Sequence, residues 1–180
     1  MKESSVICCL FLFIFCKTAV LQNKPSAEQF PEAWCGRWTG KLTIFGTNKT
    51  DTIDMQLHLS RIDEDHFQWK IIYGTDSVAG ARNYALIRTA EKEFEIDEGN
   101  GIRLATTYFP GTLWSRFSVM NTLLDCKYQV VGDKMIFEII SGKEIFSNTT
   151  GDTIFNKDTI PIVRNFALRN YQKAELFRKK

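Results

Sequence analysis

Two histidines are the side chains in this sequence best suited to hold a metal or to act as a base near neutral pH. His58 alternates with Asp54 and Gln56 along a polar face, and His66 follows Asp65 at a predicted turn. A metal site needs several ligands that converge on one point and a second shell that orients them. We therefore expect two surface histidines and no metal site.

Two groups of carboxylates could supply the acid and the base of a glycoside hydrolase. One spans residues 63–65, and the other consists of Glu93, Glu95 and Asp97. Both groups face solvent in the predicted strands and turns, whereas a glycosidase needs one acid in an apolar pocket that raises its pKa. The Gly-x-Ser-x-Gly elbow of many serine hydrolases is also absent from the sequence. We expect a protein that is not an enzyme and that uses no cofactor.

Aromatic residues on predicted inward faces are the strongest sign of a binding site. They are Trp69, Tyr73, Tyr84, Tyr108, Phe117, Tyr128 and Phe137, with Arg88 and Ser115 as polar interruptions. Such a set either fills a solid core or lines a mostly apolar cavity whose few polar groups orient a ligand. We favour the cavity, because each buried phenol needs a hydrogen-bond partner and a ligand could supply one.

Arg88 is the candidate for recognising a charge on the ligand. If its face is inward, the guanidinium is enclosed and needs an acceptor. Inward carboxylates are scarce in the predicted strands, so we expect the acid group of a ligand such as a fatty acid, with Tyr108 and Tyr128 donating to the same group. Two alternatives stay open: a carboxylate elsewhere in the protein, and a position at the rim in water.

A period-two alternation positions these side chains. Apolar residues recur at every second position from Trp38 to Ile44 and from Ile53 to Leu59, and similar runs continue along the chain. Turn signals such as Asn100-Gly101 separate the runs, and no helical stripe interrupts them. The sequence therefore predicts an all-β fold, an antiparallel up-and-down meander barrel of about 8–10 strands.

The end of the chain is less regular. Residues 142–159 are polar and are predicted to form the longest loop. Part of this loop is expected to pack against the barrel through four apolar residues, Ile145, Phe146, Ile154 and Phe155. Residues 163–177 fit both a helix and a strand. We favour a strand, because the first strand of a meander needs a partner to close the barrel.

Residues 1–21 have the features of a signal peptide. An apolar core from Val6 to Phe15 follows Lys2 and is too short to span a bilayer as a helix. We assign residues 22–33 to a linker and residues 34–180 to the barrel domain.

The predicted leader places the protein outside the cytoplasm, secreted or periplasmic. Lipid attachment through Cys16 is disfavoured, because Phe15 is bulky where a lipobox needs a small residue. The 180-residue chain has a net charge of +2, which does not favour nucleic acid or an acidic membrane as a partner. We expect a monomer with no integral membrane segment after removal of the leader.

Two cysteines lie outside the predicted leader, Cys35 and Cys126. A disulfide between them is possible in an oxidising compartment. Cys126 also alternates with Leu124 and Tyr128 on an apolar face, where a free cysteine acts as a small hydrophobic residue. Both interpretations stay open.

The opening Gly36-Arg37-Trp38 resembles the glycine-x-tryptophan start of lipocalins and the wider calycin barrels. The resemblance covers the strand pattern of nearly the whole domain, but in specific motifs only this opening. It implies that Gly36 and Trp38 close one end of the barrel, with a late arginine packed over the indole. Arg178 is the first choice for that arginine and Arg169 the second.

Other family features are absent. The lipocalin Thr-Asp-Tyr motif is missing, since Thr75-Asp76 lacks the tyrosine, and no histidine follows His66 to ligate a haem as some calycins do. The resemblance implies an exported, non-catalytic barrel that binds a small hydrophobic or amphipathic ligand. The alternative is a cell-envelope module with a solid-packed barrel that binds another protein.

Overall fold

Ten strands close into one antiparallel barrel in the computed structural model, which describes residues 30–179. The barrel strands are β1 Gly36–Phe45, β2 Thr50–Arg61, β3 His66–Tyr73, β4 Ala81–Arg88, β5 Glu93–Asp97, β6 Arg103–Phe109, β7 Thr112–Val119, β8 Thr122–Val131, β9 Lys134–Lys143 and β14 Leu168–Lys179. The predicted signal peptide, including Cys16, lies outside the described residues.

The strands follow one another around the barrel as a meander. β1 to β8 each pair with the next strand in the chain, and β14 closes the barrel by pairing with both β9 and β1. Trp38 lies opposite Arg178 in the β1–β14 ladder. The predicted all-β meander barrel is confirmed, and so is the strand favoured for the end of the chain.

Alternation along each strand decides which side chains form the core. In β1, Trp38 and Leu42 are buried while Arg37 and Lys41 are exposed, as the pleat of a strand requires. Gly40 shares the inward face, and a Cβ atom there would lie 2.0 Å from the backbone oxygen of Glu175. A glycine at this position therefore allows β1 and β14 to approach closely.

A short 3₁₀ helix, Glu32–Trp34, precedes the first strand and covers one end of the barrel. Phe30 stacks on Tyr108 with ring centroids 4.7 Å apart, and it meets Phe94 edge to face at 4.9 Å. Residues 30–33 were assigned to a linker from the sequence. In the structure Phe30, and Trp34 just after this range, bury their rings among inward-facing aromatic side chains, whereas Glu32 is exposed.

Four short strands form an arm between β9 and β14. β10 Asn148–Thr150 pairs with β13 Val163–Asn165, and β11 Thr153–Phe155 pairs with β12 Asp158–Ile160. We call residues 144–167 the arm.

The structure of the arm contradicts the prediction that residues 142–159 form a loop packed partly against the barrel. Ile145, Phe146, Ile154 and Phe155 are all exposed rather than packed against the barrel. The arm pairs backbone groups of its own in two small ladders, and at its base Glu144 donates its backbone N–H to the backbone oxygen of Asn121 on the barrel. No helix within residues 30–179 is long and apolar enough to cross a membrane.

Candidate functional site

The two ends of the barrel differ in what covers them. We call the end where β1 begins and β14 ends the closed end, since the 3₁₀ helix packs there. The opposite end, where β7 turns into β8 and the arm leaves β9, is the open end. The candidate site is the inward face between these two ends.

The closed end is held by Trp38 and Arg178. The Trp38 indole N–H donates to the backbone oxygen of Trp34 at 2.9 Å, and the Arg178 guanidinium carbon lies 4.3 Å from the centre of the Trp38 ring. Arg178 also donates to the backbone oxygens of Ala33 and Cys35, both at 2.7 Å. Of the two arginines considered for this position, the structure places Arg178 there and Arg169 at the open end.

Gly36 lies beneath the same arginine. Its φ of +139° is a backbone conformation that favours glycine, and an added Cβ atom would lie 3.4 Å from Arg178 Nη1. The glycine of the Gly-x-Trp opening therefore allows the backbone conformation that the chain adopts beneath Arg178 at the closed end.

Arg88 also lies at the closed end, and its acceptor belongs to the protein. Arg88 Nη2 lies 3.0 Å from Glu32 Oε1, a carboxylate on the 3₁₀ helix rather than on any strand. Tyr108 is in the same region, where its hydroxyl accepts a hydrogen bond from the backbone N–H of Gly111 at 2.9 Å. The Arg88 Nη2 acceptor is therefore a carboxylate of the protein, one of the alternatives that the sequence left open, whereas Arg88 Nε is buried without a hydrogen-bond partner among the described residues. A contact of Arg88 and Tyr108 with the acid group of a ligand stays a prediction.

Three of the predicted aromatic residues form a buried layer in the middle of the barrel. Trp69 meets Tyr128 edge to face at 5.0 Å between ring centroids, and Tyr128 packs on Phe137 at 4.8 Å. All three are buried. These three rings separate the packed interior at the closed end from the rest of the inward face.

Beyond this layer, the inward face stays partly accessible towards the open end. Tyr73, Tyr84 and Phe117 are half-buried there. Other partly accessible apolar residues on inward positions in this half are Ile44, Ile53, Leu104 and Ile139. We call this region the open half.

Polar side chains line the inward face beside the aromatic layer. Thr106, Ser115 and Cys126 lie opposite one another on β6, β7 and β8 and are all buried. Thr106 Oγ1 has no hydrogen-bond partner among the described residues. An orphaned buried hydroxyl costs free energy, which a polar ligand atom beside it would offset.

Burial keeps the titratable groups of this region neutral. It raises the pKa of Cys126 to about 12, against weaker opposing hydrogen bonds from Tyr128 and Ser115. Burial also raises the pKa values of Tyr73 and Tyr128. The Trp69 indole opposes the rise for Tyr128, although its Nε1 lies outside hydrogen-bonding geometry with any described residue.

Tyr84 lies at the rim of the open half. Burial raises the pKa of its phenol, and the nearby carboxylate of Glu98, to which it is hydrogen-bonded, raises it further. Glu98 belongs to the turn that joins β5 to β6. The rim therefore combines an aromatic side chain with an acidic one.

Cys35 and Cys126, the two cysteines among the described residues, are free thiols. Cys126 is inside the barrel opposite Ser115, whereas Cys35 follows the 3₁₀ helix at the closed end, with its sulfur 3.8 Å from the Pro31 backbone oxygen. The disulfide left open by the sequence is therefore not formed in this structure, since the two positions lie on different parts of the barrel.

Neither histidine contributes to the interior. His58 is on the outer face of β2, where burial and then the charges of Arg37 and Lys70 lower its pKa. His66 Nδ1 lies 2.8 Å from Asp63 Oδ1 in an exposed turn. Among residues 30–179, no group of three His, Cys, Asp or Glu side chains could hold a metal ion.

Sequence reasoning missed several residues of the site. Glu32 and Phe30 precede the first predicted strand, and only the aromatic spacing from Phe30 to Trp34 could have indicated a packed segment. Thr106 lies between Leu104 and Tyr108 on an alternating run, so its inward position was readable. The sequence could not indicate that Thr106 lacks a hydrogen-bond partner, because that depends on the neighbouring strands.

No protein-family model matches the sequence, and no curated protein matches it. Two solved structures have a similar fold at 10% sequence identity each. One is a protein of unknown function from the DUF3598 family of Nostoc punctiforme, with a TM-score of 0.56. The match covers 81% of this chain and 47% of that one, so this chain spans about half of its length.

The other structure is the S-type phycobiliprotein lyase CPES from Guillardia theta. Its TM-score is 0.53, and the match covers 87% of this chain and 94% of that chain. At this level of identity, both similarities establish the fold alone. The chain is thus similar in fold to these two proteins, in agreement with the lipocalin-like barrel that its opening Gly-x-Trp indicates.

Proposed function

We propose that this chain is an exported lipocalin-like barrel that binds a small hydrophobic or amphipathic molecule in the open half without catalysing a reaction. The observation that carries the proposal is the unequal packing of the inward face. Side chains towards the closed end, such as Trp38 and Leu57, are fully buried, whereas Tyr73, Phe117 and Ile139 remain partly accessible. A concave apolar wall with a few polar groups is the usual form of a small-molecule site.

The chemistry of the interior favours binding over catalysis. Tyr73, Tyr128 and Cys126 all have raised pKa values, so they keep their protons near pH 7 and are poor bases and nucleophiles. They can still form hydrogen bonds with a ligand. The similarity in fold to a phycobiliprotein lyase supports a ligand-binding role for a barrel of this shape, but it does not support the absence of catalysis, because a lyase is an enzyme.

A matched pair of substitutions on β9 tests the position of the site. Ile139 faces inward in the open half, and its neighbour Ile140 lies on the outer wall. Titration with the uncharged fluorophore N-phenyl-1-naphthylamine should give saturable binding. Ile139→Trp should reduce the affinity by filling the site, while Ile140→Trp should leave it unchanged.

Circular dichroism and urea unfolding establish that both variants are folded, since a larger core residue costs about 1–3 kcal/mol. Absence of saturable binding to the unmodified protein would overturn the proposal. Equal effects of the two substitutions would move the site away from the interior.

The exposed arm favours a second function, a module that binds another protein. Ile154 is 73% exposed and Phe155 66% exposed, and neighbouring apolar side chains on the arm are also exposed. A cluster of this kind often marks an interaction surface. A photocrosslinking residue at Phe155, compared with one at the exposed Thr52 on β2, tests this function in the cell that exports the protein. A discrete crosslinked product from position 155 alone would support it, and equal or absent crosslinking would count against it.

A further inference from the structure

A cavity of about 440 Å³ lies at the open end, where the β7–β8 turn meets the base of the arm. Its lining includes Met120, Asn121, Ser141, Lys143, Arg169 and Asn170. We call it the mouth cavity. The lining contains two cations and no carboxylate.

The mouth cavity shares Ser141 with the inward face of the barrel. Ser141 is only 8% exposed and lies opposite Leu124 on β8 and Asn170 on β14. Leu124 in turn lies opposite Phe117 in the open half. Since residues opposite one another in an antiparallel ladder share a face, Ser141 belongs both to the mouth cavity and to the wall that continues into the barrel.

The two cations of the mouth cavity have no partner within the protein. Neither Lys143 nor Arg169 forms a side-chain hydrogen bond or an ion pair with another residue in the range 30–179. The carboxylate next in sequence, Glu144, accepts a hydrogen bond from the Ser118 hydroxyl instead. By contrast, Arg88 has Glu32 and Arg116 has Asp125.

Irregular backbone occurs at both sides of the cavity. The β14–β9 register shifts between Leu168 and Asn170, which leaves Arg169 as an extra residue in a bulge. Bulges redirect a side chain relative to the regular pleat and are common beside functional sites. Across the cavity, Met120 and Asn121 have φ values of 50° and 60°, and Met120 is 91% exposed. Positive φ at both residues is what a two-residue type I′ hairpin turn requires, and this turn joins β7 to β8 and places Met120 at the cavity.

We propose that the mouth cavity binds the oxyanionic head group of an amphipathic ligand whose apolar tail enters the open half. Arg169 and Lys143 supply the charge, with Arg169 able to donate two parallel hydrogen bonds to a carboxylate or phosphate. Asn121 and Asn170 supply neutral donors, and Met120 covers the first part of the tail. The proposal rests on the proposed function and assigns the ligand a chemical class.

Isothermal titration with ligands that share one tail tests this assignment. Dodecanoate, dodecyl phosphate and dodecanol differ only in the head group, and the first two separate a carboxylate from a phosphate ligand. At least one of the two anions should bind about tenfold more tightly than dodecanol, as expected for hydrogen bonds to a charged group. The advantage should shrink as the salt concentration rises.

Substitutions separate the head group from the tail. Arg169→Met and Lys143→Met should each weaken binding of the preferred anion about tenfold and leave dodecanol unchanged. Arg164→Met is the matched control, because Arg164 is an exposed arginine on β13 that does not line the mouth cavity. It should change neither affinity.

The outcomes distinguish this proposal from the function on which it rests. Equal affinities for the anions and dodecanol, unaffected by the two substitutions, would overturn the head-group role of the mouth cavity. The proposed apolar binding site in the open half would remain. Loss of dodecanol along with the anions in Arg169→Met, in a variant that is still folded, would also overturn the head-group assignment. Failure of every ligand to bind the unmodified protein would overturn both.

Discussion

The closed end and the open end of this barrel use arginine in opposite ways. At the closed end, Arg178 donates to two backbone oxygens and Arg88 pairs with Glu32, so both guanidinium groups hold the chain together. At the open end, Arg169 lines a cavity and has no partner among the described residues. The comparison teaches that a structural arginine has an acceptor within the protein, whereas the binding role proposed for Arg169 rests on its lack of an acceptor together with its place in the cavity lining.

Packing follows the same division. Trp34 and Trp38 at the closed end are completely buried, whereas Tyr84 and Phe117 near the open end are not. A fully packed end contributes stability through buried apolar area, while a partly packed end leaves room for a ligand. Changes at the closed end should therefore affect the free energy of unfolding, and changes at the open end should affect binding.

The largest expected effect is on stability at the closed end. Trp38→Ala should lower the free energy of unfolding by about 3–5 kcal/mol, because it removes a large buried ring and leaves a cavity. Phe117→Ala in the open half is the control and should cost clearly less, since that ring is already partly accessible. Urea unfolding measures both, and equal losses would contradict the proposed difference between the ends.

Arg178→Met should cost about 2 kcal/mol. The substitution removes two charge-assisted hydrogen bonds and the contact with the Trp38 ring, although partial exposure of Arg178 reduces their value. Arg169→Met should change the free energy of unfolding by less than about 0.5 kcal/mol, as most surface substitutions do. A reversed order of the two variants would show that the assignment of structural and binding arginines is wrong.

Stability should fall at alkaline pH through Cys126. Its pKa rises from 9.0 in a free thiol to about 12 in the fold, so the folded state holds a proton that the unfolded state releases. The stabilisation is complete below pH 9 and is lost as the pH rises towards 12. Between pH 8 and pH 10 this thiol alone should cost about 1.4 kcal/mol.

Comparison of the unmodified protein with Cys126→Ala by urea unfolding at both pH values checks this prediction. The alanine variant should lose less stability over this interval, whatever its stability at pH 8. An unchanged pH dependence would show that Cys126 is not enclosed as the structure describes.

Arg88→Met should cost less than about 1 kcal/mol, because the ion pair with Glu32 is partly exposed. A double-mutant cycle with Glu32→Gln isolates the interaction of the two side chains. Binding of dodecanoate should be unaffected in all three variants. A selective loss of dodecanoate binding would return Arg88 to the role that the sequence suggested.

Met120→Gly should give the smallest effect, a gain of about 0.5 kcal/mol. Glycine relieves the left-handed backbone conformation at this position, and the greater freedom of glycine in the unfolded chain offsets part of the gain. The same variant should bind amphipathic ligands less tightly, since it loses the cover that Met120 provides. Asn156→Gly is the control, because Asn156 has a similar φ of 49° in the arm and does not line the mouth cavity, so ligand binding should be unchanged. If Met120→Gly neither gains stability nor loses ligand affinity, Met120 does not belong to the site.

The inward alternation of the strands was readable from the sequence because it is local. Residues at every second position of a strand share a face whatever lies next to the strand, so runs such as Ile53 to Leu59 indicated both the element and its buried side. The absence of helical stripes then favoured a meander. The position of a late arginine over Trp38, with Arg178 as the first choice, followed from the Gly-x-Trp resemblance, and the β1–β14 register confirms Arg178.

Only the closed barrel determines which residues that are distant in sequence come into contact. Glu32 and Arg88 are 56 residues apart, and they meet because the 3₁₀ helix folds over the end of the sheet. The arm, the free thiols and the bulge at Arg169 likewise depend on which strands lie side by side. Alternation predicts that a side chain points inward, but the neighbouring strands determine which atoms it meets there.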